Sequence, residues 1–270
     1  MVKKLKREGK SIGFVPTMGY LHIGHLSLIR ESKKKADITI ASIFVNPTQF
    51  APNEDFNRYP KDLERDKNLL EAEGTDYLFN PDAAEIYPDD YQTYISLNKI
   101  TQPLEGIVRP GHYKGVSTIV SILLNCVQPD FAFFGQKDAQ QAAVIKQMVK
   151  DLKYGVEVVV CPISREADGL AMSSRNIFLS EEDRQKALTL HKSLSAGAAA
   201  IKAGERSSEK LIDLMSSYFL KEKTVFDYLT IVDANTFEGV AVLTSPGEYY
   251  ILTAAKIGNT RLIDNELIKI

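Results

Sequence analysis

The chain is short of cysteine, of long apolar runs and of any excess of charge. Only two cysteines, Cys126 and Cys161, occur in 270 residues. Both stand in apolar stretches, so a buried, reduced thiol is the expected state of each. No stretch approaches the ~20 apolar residues that a membrane-spanning helix needs. The segment Lys3 to Lys10 is too charged to open a signal sequence, so a soluble, cytoplasmic protein is expected. Thirty-three basic side chains face 35 acidic ones, a formal charge of −2, which argues against a broad nucleic-acid surface. Internal repeats, low-complexity tracts and long linkers are missing too. With 44% hydrophobic and 25% charged residues, the composition is that of an ordinary globular protein able to bury a real core.

The most informative stretch is Ile12 to Ile29, IGFVPTMGYLHIGHLSLI. An apolar run stops at Pro16, a glycine-containing turn follows, and His22 and His25 open an amphipathic helix. Strand, turn and helix N-terminus in that order can hold a phosphate. Three residues apart on a helix, the two histidines point the same way, and Gly24 between them obstructs nothing. As a zinc site the pair is poor, because HExxH puts ligands at i and i+4 beside a glutamate.

The rest of the first half alternates strand and helix. Ile38 to Val45 is apolar without alternation, as in a strand covered on both faces, and it ends in Asn46, Pro47, Thr48 and Gln49. A helix starting at Pro60, a strand at Tyr77 to Phe79, a small strand near Thr93 to Leu97 and a helix from Gly115 to Val127 follow. Phe131 to Gly135 is again a buried strand, ending in Gln136, Lys137 and Asp138. A helix from about Asp138 to Leu152 and a strand at Val156 to Val160 complete the series. This pattern predicts an α/β fold, a Rossmann-like parallel sheet domain over residues 1–163. Residues 164–270, with helices at about 180–203 and 208–222 and three closing β segments, predict a smaller α+β C-terminal domain.

A second motif, AMSSRN at Ala171 to Asn176, resembles the KMSKS signature that accompanies HIGH in enzymes attacking the α-phosphate of ATP. Such an attack gathers charge on phosphoryl oxygens and on departing pyrophosphate, which imidazoles, hydroxyls, a lysine and an arginine can meet. Lys137 and Asp138 suit a phosphate and a ribose. Asn46, Gln49 and Gln141 suit a small hydroxylated substrate.

Together the blocks PTMGYLHIGH, SIFVNPTQF, EDFNRYP, LEGIVRPGHYKGVSTIV, FFGQKDAQQ and READGLAMSSRN resemble the pantoate–β-alanine ligase family over nearly the whole chain. One departure is Ile23, where the family more often has Glu; its side chain is expected to turn away from the histidines. The resemblance also leads one to expect a short N-terminal segment ahead of Met1, as is common in the family. The resemblance implies adenylation of pantoate by ATP with Mg2+, then attack by β-alanine to give pantothenate and AMP. It implies catalytic roles for His22, His25, Lys137, Ser173, Ser174 and Arg175. ATP binding falls to Met18, His25, Gly135, Lys137, Asp138, Met172, Ser173, Ser174 and Arg175. Pantoate binding falls to Gln49, Gln141 and Asn46, the β-alanine region to Tyr59 and a metal to Asp66. Arg109 and His112 are further candidates, with an exposed structural loop as their alternative. The resemblance also implies a homodimer and a C-terminal domain that closes over the nucleotide. The rival readings are another HIGH-type adenylyltransferase or a non-catalytic adenine-nucleotide sensor.

Overall fold

A covered strand must be apolar on both faces, and the central strands are. A computed structural model describes residues 1–52 and 54–270, which divide into two units. In the first, Met1–Gln136 with Gln140–Pro162, the elements are α1 (Val2–Arg7), β1 (Ile12–Thr17), α2 (Ile23–Lys35), β2 (Ile38–Ile43), α3 (Leu63–Ala72), β3 (Tyr77–Phe79), α4 (Ala83–Ile86), α5 (Glu105–Val108), α6 (His112–Val127), β4 (Phe131–Gly135), α7 (Ala139–Asp151) and β5 (Glu157–Cys161). The five strands lie in the order β3-β2-β1-β4-β5, and every pairing is parallel. Alternate side chains enter two separate cores: Phe14, Ile40, Ala132 and Phe134 meet α6 and α7, while Val15, Ala41, Ile43 and Phe133 meet α2 and Leu70 of α3. The strand order reverses direction between β1 and β4, and ligands of open parallel sheets bind at the strand C-termini beside such a reversal.

The second unit, Lys137–Ala139 with Ile163–Ile270, contains α8 (Glu181–Lys202), α9 (Ser208–Lys221), β6 (Phe226–Asp233), β7 (Glu248–Ile257) and β8 (Thr260–Lys269). The strands form an antiparallel sheet in the order β6-β7-β8. Leu190, Leu194, Leu211, Met215 and Phe219 bury against Ile231, Ile251 and Leu262.

Several expectations need correction. Helix α3 starts at Leu63 rather than Pro60, because the Asp62 side chain caps it by accepting the Arg65 N–H at 3.1 Å. No strand forms near Thr93 to Leu97; the Ile95 N–H donates to Thr118 Oγ1 on α6 instead of to a neighbouring strand. Helix α6 begins at His112, ahead of Gly115. Cys161 is buried, and burial, then the Glu31 charge, push its thiol up to about 11. Cys126 is exposed, since it falls with Asn125 outside the Leu123–Leu124–Val127 stripe of α6. Lys137 to Ala139 group with the second unit, in which the Asn265 side chain on β8 donates to the Lys137 carbonyl at 2.9 Å.

Candidate active site

The turn after β1 is built before the histidines are placed. Thr17 Oγ1 donates to the Ser42 carbonyl at 2.7 Å and accepts the Gly19 N–H at 3.2 Å, joining the ends of β1 and β2. Gly19 and Tyr20 both have left-handed φ, +82° and +49°. Their backbone is fastened from α3: Asp66, 1% exposed, accepts the N–H of Tyr20 and of Leu21, each at 2.7 Å. Arg65 Nη2 donates to the Leu21 carbonyl at 2.9 Å. Asp66 is thus no solvated helix-face residue; both oxygens of its carboxylate are engaged by the turn.

From this anchored turn the chain enters α2 with His22 as its N-cap. His22 Nδ1 accepts the Gly24 N–H at 3.1 Å, and His25 Nδ1 accepts the His22 N–H at 3.3 Å, a reciprocal capping box made of two imidazoles. The ring centroids are 4.0 Å apart. Since each Nδ1 uses its lone pair, each neutral ring carries its proton on Nε2 and is a donor there. Ile23 between them is exposed, so the departure at this position costs no packing.

The loop after β2 brings together Asn46, Gln49 and Met18. Asn46, 1% exposed, donates to Gln49 Oε1 at 3.1 Å and to the Gly115 carbonyl at 3.2 Å. Its Oδ1 accepts from the Tyr87 hydroxyl at 2.8 Å and from Thr48 Oγ1 at 3.0 Å. Gln49 Nε2 reaches Met18 Sδ at 3.0 Å. Burial, offset in part by the Thr48 bond, raises Tyr87 to about 12, so its phenol remains a donor. Helix α6 approaches this loop at Gly115, where a Cβ would stand 2.4 Å from the Thr48 carbonyl oxygen.

Arg109, half-buried in the otherwise exposed turn between α5 and α6, and His112, buried at the start of α6, hold the same loop. Glu54 takes two hydrogen bonds of 2.7 Å from Arg109, which outweigh burial and keep its carboxyl below the usual range. Arg109 Nη1 lies 3.1 Å from His112 Nε2, and His112 Nδ1 lies 2.9 Å from the Gln49 carbonyl. A carbonyl only accepts, so His112 donates from Nδ1 and accepts at Nε2, the opposite tautomer to the other two rings. Burial first, then the Arg109 charge, lowers His112 to about 4.

Three more candidates belong to this unit. Tyr59 is buried, its ring edge-on to Phe50 at 5.9 Å. Gln141 is half-buried in the first turn of α7. Gly135 closes β4 with nothing within 4 Å of where a Cβ would lie.

In the second unit, residues 164–172 form a tight hairpin. Arg165 and Ala171 bridge antiparallel, Glu166 N–H meets the Leu170 carbonyl at 2.8 Å, and Gly169 turns at φ +96°. Ser173 then caps a short 3-10 segment, Ser174–Phe178, by accepting the Arg175 N–H at 3.2 Å. Ser174 is buried, Met172 and Arg175 half-buried and Asp138 exposed. Asn176 donates to Glu166 Oε1 at 2.9 Å, and Arg184 of α8 donates to Glu166 at 2.8 Å and to Asp168 at 2.6 Å.

This arrangement has relatives. The sequence matches the family described as Pantoate-beta-alanine ligase over residues 1–267. The chain belongs to the pantoate–β-alanine ligase family. It is 57% identical to a pantothenate synthetase of Caldicellulosiruptor saccharolyticus, over 100% of this chain and 96% of that one. To the pantothenate synthetase of Acetivibrio thermocellus it is 52% identical, over 100% and 96%. The crystal structure of pantothenate synthetase from Thermus thermophilus superposes with a TM-score of 0.92 at 41% identity, covering 98% of this chain and 97% of that one. A pantoate–β-alanine ligase from Francisella tularensis, complexed with β,γ ATP and β-alanine, gives 0.79 at 37% identity, over 96% and 90%.

For a member of the pantoate–β-alanine ligase family, several supporting residues carry no local signal in sequence. Asp66 works through backbone amides 46 and 45 residues away, and Arg165 pairs with Asp264 across 99. Arg184 and Glu54 read in sequence as ordinary surface charges. Gly115 gives a visible hint, a glycine at the N-terminal end of a strongly apolar helical stripe.

Proposed function

We propose that this chain activates pantoate as its acyl adenylate and then passes the acyl group to β-alanine. The observation that carries the proposal is the pair of imidazoles at the start of α2, each with Nδ1 tied to a backbone N–H and its proton on Nε2. Two fixed N–H donors at a helix N-terminus, at the strand C-termini of an open parallel sheet, suit a phosphate on which negative charge is growing. A pantoate carboxylate oxygen attacks the α-phosphorus, the bond to the bridging oxygen breaks, and pyrophosphate carries away the charge. The β-alanine amine then attacks the acyl carbon, loses a proton, and AMP leaves.

In this reading His22, His25, Lys137, Ser173, Ser174 and Arg175 meet the phosphates, with Met18, Gly135, Asp138 and Met172 about the nucleotide. The open space at Gly135 supports a ligand passing close to the backbone there. Gln49 and Gln141 bind pantoate, and Tyr59 borders the β-alanine region. The two donors of the Asn46 amide already go to Gln49 and Gly115, so its part is to hold the Gln49 amide in one orientation. Among the described residues no three His, Cys, Asp or Glu side chains converge to hold a metal, and both Asp66 oxygens accept backbone N–H groups. These residues do not fit a resident metal site, and Mg2+ is assigned to the ATP phosphates instead. A homodimer built on the first unit and a cytoplasmic location belong to the same reading.

Exchange of labelled pyrophosphate into ATP tests it. Exchange is expected to require pantoate and not β-alanine, with pantothenate formed when both are present. Folded protein that shows no pantoate-dependent exchange would refute the scheme.

A further inference from the structure

Strand β8 carries two adjacent polar residues, Asp264 and Asn265, that are almost wholly buried, at 3% and 1% exposure. Asp264 receives Arg165 through both oxygens, at 2.7 and 3.0 Å, and its Oδ1 also accepts the Asn265 N–H at 2.8 Å. Arg165 reaches on to the Gly169 carbonyl at 3.1 Å and to the Asn265 carbonyl at 3.4 Å. It therefore ties β8 to the first strand and the turn of the hairpin that runs into Met172–Arg175. Asn265 points its amide elsewhere: Nδ2 donates to the Lys137 carbonyl at 2.9 Å. Two segments assigned to the phosphates, distant in sequence, are thus fastened to neighbouring residues of one strand.

Stability alone does not explain this choice. A buried ion pair and a buried amide cost desolvation, and apolar residues of similar volume generally stabilise as well or better. What a directional bond adds is a fixed position. Lys137 has a long flexible side chain, and its ammonium can be placed repeatedly at one point only if its backbone is held.

We propose that Asn265 is a positioning residue for the adenylation step: it holds the Lys137 backbone in register with the Ser173–Arg175 loop, which Asp264 and Arg165 brace. It touches no substrate, and its effect passes through Lys137. The proposal rests on the reading of Lys137 as a phosphate-binding residue.

The test is Asn265→Ala in the full chain, assayed by pantoate-dependent pyrophosphate–ATP exchange with KM and kcat determined for each substrate, and by thermal unfolding. The KM for ATP is expected to rise about tenfold, with the KM for pantoate within about twofold of wild type and a midpoint lower by only a few degrees. A residue of purely structural worth would lower the midpoint and the amount of active protein without moving the KM for ATP. If Asn265→Ala does not fold, Asn265→Leu fills nearly the same volume without a donor and is assayed in its place. An unchanged KM for ATP in a folded variant overturns the proposal, as does failure of both variants to fold, which would make Asn265 a determinant of the fold. A wild-type protein with no pantoate-dependent exchange is a separate result: it removes the functional reading, and this proposal with it.

Discussion

Protonation of His112 is the perturbation whose cost the structure specifies best. The ring is 8% exposed, donates from Nδ1 to the Gln49 carbonyl at 2.9 Å and faces the Arg109 guanidinium at 3.1 Å. Burial and that positive charge lower it to about 4, against an ordinary 6.5. The folded protein therefore keeps His112 neutral down to about pH 4, whereas the unfolded chain takes up a proton below about 6.5. Between those values the unfolded state binds more protons, so stability falls as the pH falls. The contribution is fully present above about 6.5 and fully lost below about 4. At about 1.4 kcal/mol per pH unit, the whole window is worth about 3 kcal/mol, of which about 2 kcal/mol is lost between pH 8 and pH 5. Urea unfolding of wild type and His112→Asn over this range should give curves that converge toward acid by about that amount, because Asn keeps a donor for Gln49 and does not titrate. Ring NMR adds an independent reading, since the chain has only four histidines. His112 should titrate far below neutrality and show the Nδ1–H tautomer, while neutral His22 and His25 show Nε2–H. Parallel stability curves, or a His112 ring that titrates near its ordinary value, would refute the reasoning.

Two further predictions test how the site is held. Asp66→Asn sets an amide NH2 against one of the backbone N–H groups of Tyr20 and Leu21, and it should cost about 2–3 kcal/mol, read as a lower urea midpoint with an unchanged m-value. Gly115→Ala and Gly135→Ala should separate packing from binding. The first drives a Cβ to within 2.4 Å of the Thr48 carbonyl oxygen, so it should lose about 1–3 kcal/mol of stability and raise the KM for pantoate through Gln49. The second meets open space and should leave the thermal midpoint within a degree or two while raising the KM for ATP.

Much of the fold could be read from local pattern. The unbroken apolar runs of β2 and β4 look alike because each is covered on both faces, and the α6 stripe shows its buried face directly. The errors fell where a side chain overrode a propensity. Asp62 outcompeted Pro60 as a helix start, and Thr118 took the Ile95 N–H that a strand at Thr93 to Leu97 would have paired.

In the site, the residues proposed to meet ligands fall in compact motifs, whereas the contacts that hold them do not. A histidine pair with glycine between, or Ser-Ser-Arg after a hairpin, concentrates its chemistry in a few consecutive residues, so the residue types alone announce it. A clamp divides its chemistry between a side chain and a distant backbone group, and every residue has the same backbone. Asp66, Asn265 and His112 each act on a backbone N–H or C=O between 45 and 128 residues away, which leaves nothing in the partner's identity to recognise. One trace does survive on the acting side. A polar residue inside an apolar run has to satisfy its hydrogen bonds without water, so its presence there implies a partner even when the partner is invisible. Thr118 breaks the apolar run of α6 in this way, 1% exposed and accepting the Ile95 N–H, and Gly115 interrupts the same helix by offering no side chain. Interruptions of periodicity are therefore where the amino-acid sequence itself marks the supporting residues of such a site.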